Sequence, residues 1–154
     1  MRRLTALFSL AALVAVPAVA SAQATEIAVT RQQIQADRQA IVAQNLPLTE
    51  AQATAFWPVY QAYRAEATKI GDQRAAVLFN PTAADTITDK EIDSRLATWF
   101  KLNQDYAKLQ ADWQKKFQPI LGSRGTLRFY QIENRLDLIV LASLASSIPL
   151  VPVK

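Results

Sequence analysis

Apolar residues recur at three- and four-residue steps from about residue 26 into the last quarter of the chain, and no stretch alternates with period two. That spacing puts the apolar side chains on one face of a helix, turn after turn. Asn-Gly and Asp-Gly hairpin turns are absent, which removes the usual signal for paired strands. Four helices are predicted. The first covers about residues 26–44, with Ile27, Ile34 and Ile41 at seven-residue spacing and polar residues on the other faces; Asn45 and Pro47 end it. The second presents Phe56, Tyr60, Tyr63, Ala67, Ile70, Arg74 and Val77 on one face, widened by Trp57, Val59 and Leu78, and stops at Asn80-Pro81. Pro58 lies inside that pattern and, lacking a backbone donor, should kink or loosen the helix.

The third helix is the most regular. Ile92, Trp99, Tyr106, Trp113 and Ile120 are spaced by sevens with Leu102 and Leu109 between them, a pattern that implies long antiparallel contacts. Pro119 and Gly122 close it. The fourth begins at Ser123 or Thr126 and runs to about residue 146. From Leu138 to Ala145 it is apolar nearly all round, so this part should be buried or covered by a partner. The uncharged stretch 138–153 contains Pro149 and Pro152 and is too short and too broken for a membrane span. Residues 148–154 read as an extended apolar tail that either straps across the bundle or awaits a partner.

Two helix starts carry their own clasp. At Thr49 the hydroxyl can accept from the backbone near Gln52 while the Gln52 side chain reaches back, and Pro47 holds Leu48 extended just before the cap. Thr88-Asp89-Lys90-Glu91 repeats the arrangement, with Ile87 and Ile92 placed as a hydrophobic staple.

The amino terminus changes the expected compartment. Met1-Arg2-Arg3, an apolar run over residues 4–20 and the small-x-small site Ala20-Ser21-Ala22 have the anatomy of a secretory leader. Cleavage is expected near Ala22, with Ala22-Gln23-Ala24 as the second candidate and an uncleaved anchor as the alternative. Residues 23–147 then form one helical domain. Of 17 basic and 13 acidic residues, Arg2 and Arg3 leave with the leader, so the formal charge falls from +4 to +2. Scattered charges with no basic block give no footprint for nucleic acid. The chain has no Cys and no His, and its one Met is the initiator, so disulfides and the usual zinc and copper ligands are missing; no cofactor is expected. Stability must come from packing.

Leu48-Thr49-x-x-Gln52 resembles the L-T-x-x-Q element of the Spy/CpxP family of small periplasmic helical proteins. A second, degenerate copy stands near the fourth helix, where Leu127 and Gln131 keep the spacing and Arg128 replaces Thr, with loss of the cap. The resemblance spans essentially the whole mature chain. It implies an all-α antiparallel bundle of two hairpins, a periplasmic location, possible homodimerisation, and ATP-independent binding of partly unfolded envelope proteins. Metal responsiveness in that family uses His or Met and does not carry over.

Candidate binding residues are Trp57 and Tyr60, which otherwise belong to the core stripe, and Arg124, Arg128 and Arg135, which share one side of the fourth helix and otherwise form a solvated basic face. Asp89, Glu91 and Asp93 are the nearest approach to a catalytic carboxylate pair. Acidic residues in a first helical turn are what the helix dipole favours, and no nucleophile–base pair or phosphate loop accompanies them. A non-enzymatic binder is therefore expected. The alternative is a regulatory or accessory module that docks on one specific envelope partner through the fourth helix and tail.

Overall fold

The computed structural model describes Gln33, residues 36–78 and 87–145, Ile148, Leu150 and Val151. The expected leader, the start of the first helix and most of the tail lie outside the described residues. Everything described is helical or connecting chain, so the fold is all-α. Residues 36–45 form α1, Glu50–Leu78 form α2 and Asp89–Leu144 form α3. Among the described residues no helix is long and apolar enough to cross a membrane.

Both expected clasps are present. The Thr49 backbone donates to Gln52 Oε1 at 3.1 Å and the Gln52 backbone returns a bond to Thr49 Oγ1 at 3.3 Å. Thr88 and Glu91 form the same reciprocal box in front of α3, and those bonds hold the Glu91 carboxyl below its usual pKa. Pro58 does not interrupt α2. It sits on the exposed side, where water can reach the Thr54 carbonyl that its ring leaves without a donor.

The third and fourth predicted helices are one element broken at Gly122, whose φ of 66° and ψ of 172° lie outside helical space. The chain reverses there, so α3 has an N arm up to Leu121 and a C arm from Ser123. Pairings across the break prove the reversal. The Phe117 and Phe129 rings are 4.4 Å apart, the Tyr130 hydroxyl donates to the Gln110 carbonyl at 2.7 Å, and the Tyr106 hydroxyl reaches Asp137. An antiparallel hairpin thus forms with a single residue as its turn. Positive φ with extended ψ is open to glycine and strained for any L side chain. Gly122→Ala should lower stability by about 1–3 kcal/mol in urea unfolding, from backbone strain alone, because nothing lies within 4 Å of an added Cβ.

The core is aromatic. Phe56, Tyr60 and Tyr63 from α2 meet Trp113 and Phe117 from the N arm and Phe129 from the C arm, all buried, with edge-on and tilted ring contacts between the helices. Val42 and Leu46 seal it from α1. Such pairs add to plain area burial, which suits a chain with no disulfide to lean on.

Candidate functional site

Two regions have chemistry beyond packing, and the C arm of α3 carries both on opposite faces. Its inward face holds Glu133, fully buried at 0% exposure in the register of Phe129, Ile132 and Leu136. Arg38 Nη1 from α1 and Arg64 Nη1 from α2 each donate to Glu133 Oε2 at 2.9 Å, and the Tyr60 hydroxyl donates to Oε1 at 3.2 Å. One turn on, Asp137 accepts from Arg38 Nη2 at 2.7 Å and from the Tyr106 hydroxyl at 2.5 Å. Every helical rod contributes a member, so the cluster bolts α1, α2 and both arms together.

The electrostatics follow from that burial. Desolvation pulls the Arg38 pKa down, but Glu133 and Asp137 beside it outweigh the loss and hold it above its ordinary value. Burial pushes the Tyr60, Tyr63 and Tyr106 hydroxyls well above the usual tyrosine range, reinforced by Glu133 at Tyr60, by the Tyr106 hydroxyl at Tyr63 and by Asp137 at Tyr106. Beside the cluster lies a cavity of about 110 Å³, reached by Arg38, Arg64, Arg74, Trp99, Tyr106 and Asp137 and walled by aliphatic side chains.

The outward face of the C arm is different in kind. Arg124, Leu127, Arg128, Gln131, Arg135, Leu138 and Ile139 follow the three- and four-residue steps of one helical stripe, and all are exposed. Leu127, Leu138 and Ile139 show more than half of their surface to solvent. The only two acids of this arm, Glu133 and Asp137, point inward, so the stripe carries guanidinium and apolar groups with no carboxylate among them. The outer face of the N arm contrasts with it, since Lys101–Asp105, Lys108–Asp112 and Lys115–Asp112 pair there in the ordinary way of a solvated helix.

The residues singled out from the sequence divide accordingly. Arg124, Arg128 and Arg135 share the exposed stripe. Tyr60 does not join them: at 2% exposure it belongs to the core and the ion cluster. Trp57 is partly buried, edge-on to Phe56 and Tyr60. The apolar end of the C arm is only partly covered, with Leu144 buried but Leu138 and Leu141 exposed, because one N arm and α2 cannot wrap a helix that is apolar all round. Asp89, Glu91 and Asp93 are exposed, and Glu91 is committed to its cap.

Both L-x-x-x-Q elements act as clasps between the hairpins. Gln52 Nε2 donates to the Ile120 carbonyl at 3.1 Å, one of the groups orphaned by the break at Gly122. From the second element, Arg128 Nε donates to the Asn45 carbonyl at the end of α1, at 2.6 Å. Leu48 packs against the core, whereas Leu127 and Gln131 face solvent. Comparison with protein-family models, with curated proteins and with solved structures finds no match.

Proposed function

We propose that the protein is a non-catalytic, ATP-independent binder of partly unfolded envelope proteins that works in the periplasm after loss of its leader. The single observation that carries this reading is the C-arm stripe, where three guanidiniums share one face with exposed Leu127, Leu138 and Ile139 and no acid intervenes. Isolated apolar residues on a surface mean little, but a row of them rimmed by one sign of charge is a recognition surface. It would catch exposed apolar segments flanked by Asp or Glu, quickly and weakly, through steering followed by shallow burial. In this reading the two arms of α3 count as two helices, giving the four-helix, two-hairpin arrangement of Spy/CpxP-like proteins, and a homodimer would lengthen the stripe.

The test is suppression of aggregation of several unrelated acidic clients. The wild-type chain should protect at near-equal ratios, less well in high salt. Arg124→Glu/Arg135→Glu/Leu138→Ser should need about tenfold more protein for equal protection, ~1.4 kcal/mol of lost client affinity, with helicity unchanged. Arg128 is left intact because it caps α1. No protection of any client by the wild type would overturn the proposal.

Docking on one specific envelope partner is the second reading, favoured by the exposure of Leu150 and Val151, at 87% and 51%. Deleting residues 148–154 separates the two: loss of one defined complex supports docking, and an unchanged range of clients supports the chaperone-like role.

A further inference from the structure

The cavity beside the ion cluster is lined by both guanidinium and aliphatic side chains. On α2, Arg64 lies beside the ion cluster, and nearly three turns further along Arg74 sits with Ala75 and Leu78. On the C arm Asp137 lines it next to the cluster, and Val140, Leu141 and Leu144 line it beyond. Its volume of about 110 Å³ is of the order of the ~150 Å³ cavity that accepts a benzene-sized guest. A guanidinium set among aliphatic and aromatic side chains suits a molecule that joins an anionic head to an apolar tail.

Arg74 lines this cavity outside the ion cluster. Its guanidinium lies 5.2 Å from the Trp99 ring centroid and 5.5 Å from that of Tyr106, so it is fixed over two aromatic faces. Its Nε is buried without a hydrogen bond, and no carboxylate pairs with it among the described residues. The acids nearby are already engaged: Glu133 by Arg38, Arg64 and Tyr60, and Asp137 by Arg38 and Tyr106. A half-buried guanidinium fixed over two rings, with its buried Nε unanswered, is a preformed seat for a carboxylate, which it can grip with two parallel bonds.

We infer that this cavity binds a small monoanionic amphiphile, a carboxylate on a short aliphatic or aryl tail. Arg74 holds the carboxylate, and the tail packs against Leu78, Val140, Leu141 and Leu144. A neutral apolar guest leaves the Arg74 donors unanswered, and a cation meets the guanidiniums of Arg38, Arg64 and Arg74. The site faces the core side of the C arm, opposite the client stripe, so it stands or falls separately from the client-binding reading.

Titration of the full chain with hexanoate, 1-hexanol and acetate, followed by calorimetry and by the Trp99 indole resonance, tests the assignment. Hexanoate should bind one molecule per chain and move the Trp99 signal, with 1-hexanol and acetate each at least about tenfold weaker. Lengthening the tail from butanoate should gain about fourfold per methylene until the cavity is filled. Arg74→Gln should lose about tenfold for hexanoate but little for 1-hexanol, and Arg74→Lys should recover only part of the loss, because an ammonium keeps the charge without the paired grip. Equal binding of hexanoate and 1-hexanol, undiminished hexanoate binding by Arg74→Gln, or no uptake of any of these carboxylates at millimolar concentration would overturn it. Should Arg74→Gln fail to fold, the wild-type comparison of hexanoate with 1-hexanol decides.

Discussion

Glu133→Leu should cost the fold about 3–5 kcal/mol, the largest loss expected from any single change in the cluster. The reason is what the substitution leaves behind. Arg38, 2% exposed, would keep only Asp137 at the edge of the cavity, and the Arg64 and Tyr60 donors aimed at Glu133 would face hydrocarbon. Against a typical total of 5–15 kcal/mol, that is a large share of the stability. Urea unfolding of a double-mutant cycle measures it. Arg38→Met alone should also destabilise, by leaving Glu133 with fewer donors, whereas Arg38→Met/Glu133→Leu should cost markedly less than the two changes summed, because a greasy pair needs no counter-charge. A loss under about 1 kcal/mol for Glu133→Leu would mean that the cluster is well hydrated in solution.

Alkaline pH should unfold the protein steeply. Tyr60, Tyr63 and Tyr106 have folded pKa values raised above the ~10 of a tyrosine in the unfolded chain, chiefly by burial. The sign follows from proton counting. Below pH ~10 both states hold their protons and the contribution is fully present; above it the unfolded chain releases protons that the folded one retains. Stability then falls by up to about 1.4 kcal/mol per pH unit for each such hydroxyl, or about 4 kcal/mol per unit for the three together. Circular dichroism and tyrosinate absorbance should therefore change together above pH 10. Tyr60→Phe should flatten the slope by one proton's worth. Free ionisation of all tyrosines near pH 10 with helicity intact would contradict the burial of these rings.

Element positions were largely legible because the signals are local. The Thr49/Gln52 and Thr88/Glu91 boxes and the seven-residue spacing of Trp99, Tyr106 and Trp113 depend only on residues within a few turns of one another. Gly122 marked the boundary between third and fourth helices for the same reason, although the abruptness of the reversal is a matter of its backbone angles. The ion cluster was not legible. Its partners are separated by 31 to 99 positions in the chain, and nothing local pairs Arg38 with Glu133. One clue was available: Glu133 and Asp137 fall in register with Phe129 and Leu136, so two acids occupy core positions and require cations from elsewhere. Helical spacing alone leaves Tyr60 open to the surface or the core, and its hydroxyl turns inward because Glu133 is there to receive it. The basic residues 124, 128 and 135 were readable as one face from helical spacing alone.

Because the chain turns back within a single residue, the two arms of α3 behave like tongs. Near the pivot the grip is tight, with Phe117 against Phe129 and Gln52 holding the Ile120 carbonyl of the N arm. The tips lie about 33 Å away along the C arm, at 1.5 Å per residue, and there Leu144 and Trp99 border an unfilled space. A small angular give at Gly122 translates into the widest parting at those tips, so the fold concentrates its capacity to admit a guest at the end farthest from its fulcrum.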